Sequence, residues 1–150
     1  MKRFDTHSRA RLMAVQALYQ AEQTGAGSKT IVSQFQEHGT EIEGEVIATS
    51  HVHMPLFARV FEGAVEHNET IDRHISEALA KGWALSRLDA TVRAVMRAGT
   101  YEIVFTDTPH EILIDDYLDL AKGFVEAQDV GFVNAALDHI VKATRTEAQT

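Results

Sequence analysis

No cysteine occurs among the 150 residues, which removes disulfides, thiolate nucleophiles, zinc ribbons and iron–sulfur clusters together. Proline is almost as scarce, with two residues, and nine glycines without any low-complexity tract leave little material for disordered linkers. No run reaches the roughly 18 apolar residues needed to cross a bilayer. The N-terminus also lacks the apolar stretch of a signal peptide, so the cytoplasm is the expected compartment. Bases are outnumbered as well, 14 Lys and Arg against 22 acids for a net charge of −8. Averaged over the chain, that balance counts against nucleic acid, because phosphate binding is carried by clustered Lys and Arg. Resolved by position it reads differently. Lys2, Arg3, Arg9 and Arg11 against Asp5 alone give residues 1–11 a charge of +3, so the other 139 carry −11. A short basic head stands on an acidic body.

What is present is an ordinary globular composition, 45% hydrophobic and 24% charged, at a length that buries roughly 70% of the unfolded surface. Helical spacing runs nearly throughout, with no period-2 strand. Residues 8–23 place Leu12, Val15, Leu18 and Tyr19 on one side, with Thr6 or Ser8 as cap. After a Gly/Ser turn at 25–28, Ser28 is expected to cap a short helix around Ile31, Val32 and Phe35. Residues 38–53 hold two glycines and no sustained pattern, and read as a loop. Periodicity returns with Met54, Phe57, Val60, Phe61 and Val65, and after Asn68 with Ile71, Ile75 and Leu79.

In the second half, Ser86 is expected to cap a helix reaching Phe105, with Leu88, Val92, Val95, Met96, Gly99 and Ile103 stepping at threes and fours. Thr108, Pro109 and Glu111 form a start signal of cap, first-turn proline and capping-box acid. The helix they open buries Leu113, Tyr117, Leu120 and Phe124 and is expected to expose Asp115, Asp116 and Asp119. Asp129 is the expected cap of the last helix, whose stripe is Val133, Ala136, Leu137, Ile140 and Val141, with fraying after Thr144. About seven helices with short connections predict an all-α fold. The whole of 1–150 reads as one domain, its helices packed as two small subdomains at about 8–80 and 86–143.

Catalytic chemistry finds no footing in this pattern. GAGSKT at 25–30 lacks the Gly directly before Lys, and the preceding strand, that a phosphate loop requires. His51 and His53 have no HExxH context and no fixed carboxylate partner, so no metal site is expected. Asp115, Asp116 and Asp119 read as a solvated face rather than acid/base machinery. No nucleophile elbow occurs. The expectation is a binding module without cofactor.

The basic head indicates what is bound. At 100° per residue, Arg9, Gln16 and Gln20 fall within about 40° of one another, a stripe able to meet phosphates with Arg and base edges with Gln. Arg11 points about 160° from Arg9, so it grips RNA only where the strand wraps the helix start and is otherwise structural.

These residues carry a family resemblance. Arg9-Ala-Arg-Leu-Met-Ala-Val-Gln-Ala-Leu-Tyr19 resembles the opening helix of the bacterial transcription antitermination factors of the NusB family. Further blocks agree in order: Phe57-Ala-Arg59 through Gly63, Ile71-Asp72 with Ile75 and Trp83, Leu88 through Arg93 with Arg97-Ala98, and Tyr101-Glu102-Ile103. Ala121-Lys122-Gly-Phe124 and Phe132-Val133-Asn134-Ala-Ala-Leu137-Asp138 complete the match, which spans residues 8–143. FVN with LD is its most specific part. Leu12, Val92, Gly131 and Ala135 depart from the family pattern.

The resemblance implies an all-helical fold of two subdomains and a role in processive antitermination, notably on ribosomal RNA operons. It implies recognition of boxA-type single-stranded RNA together with the ribosomal protein NusE, within the transcription elongation complex, and no membrane. RNA contacts are then expected from Lys2, Arg3, Arg9, Arg11, Gln16 and Tyr19, with Phe124 and Phe132 stacking on unpaired bases if they are exposed. Contacts to NusE are expected from Asp89, Arg93 and Glu102. The alternative is a paralogue of the same fold acting as a protein interaction module or homodimer without RNA. The helical domain that accompanies RNA cytosine methyltransferases is a poorer fit, since no cysteine is present to serve as nucleophile.

Overall fold

The computed structural model describes residues 4–80 and 83–145. Helix α1 (Thr6–Thr24) is capped by Asp5, whose carboxylate accepts the Ser8 backbone N–H at 2.8 Å, and ends where Gly25 turns left-handed at φ 72°. The cap is neither Thr6 nor Ser8, because Ser8 is buried and its hydroxyl is engaged elsewhere. Helix α2 (Ser28–His38) begins after Gly27 without a side-chain cap, Ser28 being already its first helical residue.

The expected loop at 38–53 holds an antiparallel hairpin, β1 (Thr40–Ile42) paired with β2 (Glu45–Ile47). It escapes a periodicity search because each strand is three residues long. Glu43 and Gly44, at φ 52° and 80°, make the two-residue turn whose twist suits a hairpin. Gly39 is required at its base: a Cβ there would lie 2.2 Å from the Ile47 carbonyl oxygen, and its φ is 69°. His53 then caps α3 (Met54–Glu66) by accepting the Leu56 N–H on Nδ1, at 3.2 Å.

Helix α4 (Asn68–Ala78) follows directly, and a 3-10 turn at Leu85–Arg87 leads to α5 (Ala90–Phe105). Asp89, not Ser86, caps α5, accepting from the Thr91 N–H at 2.9 Å. Helix α6 (His110–Ala121) starts one residue later than the Thr108 signal implies, with Pro109 at the cap position and no side-chain bond closing a capping box. In α7 (Ala127–Arg145) Asp129 lies inside the first turn rather than at the cap. The expected fraying after Thr144 does not hold for Arg145, which is buried, while residues 146–150 lie outside the described residues.

Packing explains that last point. Helix α5 is the central element, touching α1, α3, α4, α6 and α7, and ten of its sixteen residues are buried. At its end the Glu102 carbonyl already accepts the Thr106 N–H, and Arg145 reaches across from α7 to supply donors to it and to neighbouring carbonyls. The guanidinium bonds the carbonyl oxygens of Ile103 (2.8 Å), Thr106 (2.7 Å), Thr108 (2.6 Å) and Glu102 (3.2 Å). A contiguous core including Met13, Ile31, Phe57, Phe61, Ile75, Met96, Tyr117 and Leu137 runs through both halves of the chain. Each such side chain contributes about 1.5–3 kcal/mol by burial. The fold is all-α apart from the hairpin.

Candidate nucleic-acid interface

Helix α1 meets the end of α6 along a groove of about 790 Å³. From α1 come Arg9, Leu12 and Gln16; from the α6 end come Lys122 and Phe124; the hairpin supplies Glu41, Glu43 and Glu45. Arg9 is half-buried and its Nη1 donates to the His51 carbonyl at 3.2 Å, which fixes its stem while leaving other guanidinium donors in the groove. Phe124 is 38% exposed, so its ring face is available. Lys122 lies 3.3 Å from Asp119, with most of its side chain in solvent. Cation, second cation and ring thus share one channel, the combination that follows a single-stranded backbone and stacks its bases.

The other expected RNA contacts are distributed differently. Gln16 reaches the groove, but its amide is engaged with the hairpin: Nε2 donates to the Glu41 carbonyl at 3.1 Å and Oε1 accepts from the Thr40 hydroxyl. Tyr19, 41% exposed, lines a separate hollow of about 730 Å³ on the far side of the hairpin, beside Gln20, Phe35 and Val46. Phe132 lines neither hollow; it is half-buried, with its ring 6.0 Å from that of Trp83. Lys2 and Arg3 lie outside the described residues.

Arg11 is not a surface residue. Only 6% exposed, it donates from Nε to Glu102 at 2.7 Å and from Nη1 to Asp116 at 2.9 Å. Asp116 also accepts the Ser8 hydroxyl at 2.6 Å, and Glu102 the Tyr117 hydroxyl at 2.5 Å. Burial works against the Arg11 charge, but the bonds to Glu102 and Asp116 outweigh it and hold the guanidinium protonated. Burial, reinforced by the Glu102 charge, pushes the Tyr117 phenol up. The cluster clasps α1 to α5 and α6. Arg11 is therefore the structural alternative of the two, and Asp116 belongs to the core rather than to a solvated face.

Glu102 is fully buried in the same clasp, which removes it from the expected partner surface. Asp89 remains exposed but serves as the α5 cap. Arg93 is half-buried, donating from Nε to Glu22 at 2.8 Å and from Nη1 to the Leu88 carbonyl at 2.6 Å. Arg97 joins the same network through Glu22 (2.7 Å) and Asp72 (2.9 Å). The Arg93 and Arg97 bonds hold the Glu22 carboxyl below its ordinary range. Sequence spacing could not reveal this tie between α1, α4 and α5. Lys122, by contrast, was visible two residues before Phe124. Among the described residues no group of three or more metal-ligating side chains could hold an ion, and no helix is long and apolar enough to cross a membrane.

The sequence model of the NusB family matches residues 8–142. The chain belongs to the NusB family. It is 44% identical over 146 residues to the transcription antitermination protein NusB of Caulobacter vibrioides, covering 95% of this chain and 97% of that one. The NusB of Rhodopseudomonas palustris strain BisB18 is 42% identical over 149 residues, covering 97% and 87%. Among solved structures, NusB of T. maritima superposes with a TM-score of 0.77 at 28% identity, over 98% of this chain and all of that one. A crystal structure of antitermination factors NusB and NusE in complex with dsRNA shares the fold, with a TM-score of 0.71 at 24% identity, over 91% and 96%. Much of the NusB-like pattern in this chain is a packing pattern. Val133, Leu137, Tyr101, Glu102 and Ile103 are all buried, whereas Asn134 of FVN is exposed.

Proposed function

We propose that this protein is a transcription antitermination factor that binds boxA-type single-stranded RNA together with NusE, supporting processive transcription, notably of ribosomal RNA operons. It does so as a cytoplasmic component of the elongation complex, by assembly and without catalysis or a cofactor. The observation that carries the reading is the groove in which Arg9, Lys122 and exposed Phe124 converge in a chain whose curated relatives are antitermination proteins. The structural neighbour solved with NusE and dsRNA supports NusE and RNA as the classes of partner.

The geometry supports a division of roles. Arg9 and Lys122 meet phosphates, which position the strand, while Phe124 stacks on an unpaired base. Tyr19, beyond the hairpin, offers a further stacking face for a strand that continues along α1. Affinity from so few cations is modest and falls with salt, and NusE adds area and effective concentration. Asp89 remains available at the NusE-facing surface, with Arg93 contributing through its ion-paired network.

Fluorescence anisotropy of labelled boxA RNA, with and without NusE, tests the reading. The pair should bind at low salt. Arg9→Ala should weaken binding about evenly across RNA sequences and reduce the salt slope by roughly 1. Phe124→Ala should cost about 1–3 kcal/mol, the worth of one base–aromatic stack. Undiminished binding by both variants would remove the groove from the assignment, and no binding by the pair would favour the interaction-module alternative.

A further inference from the structure

The hairpin has no part in the mechanism above, yet it forms one side of the proposed RNA groove. It is an ordered element rather than a passing loop. Its register is fixed from Thr40↔Ile47 to Ile42↔Glu45, Gly39 admits the chain at its base, and Gln16 ties it to α1 through Thr40 and the Glu41 carbonyl. Ile42 and Ile47 pack against the core. This anchoring holds Glu41, Glu43 and Glu45 in the same groove as Arg9 and Lys122. None of the three carboxylates is neutralised by an ion pair with another described residue. Glu43 even occupies a left-handed position, where Gly, Asn or Asp is the usual turn residue.

We propose that the hairpin is an acidic guard that sets the specificity of the groove, disfavouring duplex RNA more strongly than single strands. The proposal rests on the RNA-binding reading of that groove. A duplex brings two phosphate backbones into the channel, and at least one must face Glu41, Glu43 and Glu45. A single strand carries one backbone, which can stay beside Arg9 and Lys122 while a base stacks on Phe124. The carboxylates line the same groove, and charges act over roughly 10 Å at 0.1 M salt, so they select by phosphate density rather than by base identity. The amide of Gln16, spent on the hairpin, then serves to hold the guard in place.

The test compares the unaltered protein with an E41Q/E43Q/E45Q variant, each with NusE, against single-stranded boxA RNA and a duplex of the same length. A second variant, E62Q/E66Q/E77Q, removes the same charge from exposed positions that do not line the groove. Circular dichroism checks that both fold. The guard predicts about tenfold tighter duplex binding at low salt for the hairpin variant, about threefold or less for the single strand, and smaller differences as salt rises. The control variant should show little change. Equal gains for the two RNAs, equal gains in the two variants, or no gain would each overturn the guard. If the unaltered protein with NusE and the hairpin variant both fail to bind RNA, the RNA reading itself falls, and the guard falls with it.

Discussion

At the scale of single residues, buried charge decides more than exposed charge. Arg11 was a candidate RNA contact by its place in a basic head, yet it pairs with Glu102 and Asp116 in the interior. Removing one partner of such a cluster strands the others, so Arg11→Met should destabilise the protein by about 3–5 kcal/mol, read as a fall in the urea midpoint. A variant that instead kept its stability and lost RNA affinity would return Arg11 to the interface. The Asp5 cap gives a pH signature. The Ser8 backbone N–H holds its carboxyl below the ordinary value of 3.8. A folded pKa below the unfolded one contributes stability above the unfolded value, and that contribution is lost as pH falls through the folded one. Asp5→Ala should therefore cost about 1 kcal/mol at pH 7, with the two proteins converging below pH 3.8. Glu22, lowered by Arg93 and Arg97, adds stability lost in the same acidic direction.

At the scale of elements, the helices were legible where an apolar stripe persisted over three turns or more. Residues 54–65 and 68–79 show this, falling close to α3 and α4. Caps were less legible, because several Ser, Thr and Asp residues near a helix start compete and tertiary contacts choose among them. Ser8 is taken by Asp116, and Thr108 offers its carbonyl to Arg145. The hairpin was missed because three-residue strands carry too little alternation to register against a helical background. Its dependence on Gly39 is testable. Gly39→Ala places a Cβ against the Ile47 carbonyl at a positive φ, which should unpair β1 from β2. Hydrogen exchange should show lost protection at 40–47 with the helices little changed; protection retained across the hairpin would disprove the requirement.

At the scale of the whole molecule, the chain is fastened by long-range polar contacts laid over a continuous apolar core. Arg145 closes the last turn of α5 from the end of α7, so Arg145→Met should cost about 2–3 kcal/mol through unsatisfied buried carbonyls. The loss should appear as a lower thermal midpoint, and an unchanged midpoint would mean that water replaces the guanidinium without penalty. The same long-range logic governs the candidate interface. Arg9 and Phe124 are 115 positions apart in sequence, and the packing of α1 against α6 brings them to one groove. Phe132, only eight positions beyond Phe124, is turned to Trp83 instead.

The sequence by itself determined the all-helical class, the stripes that became the core and the separation of a basic head from an acidic body. Those follow from local periodicity and composition, which are written residue by residue. Only the tertiary structure decided which charged groups face solvent. Whether Arg11, Asp116 and Glu102 meet water or one another depends on three helices distant in the chain coming together. A helical wheel gives each side chain a direction, but only packing shows what lies there.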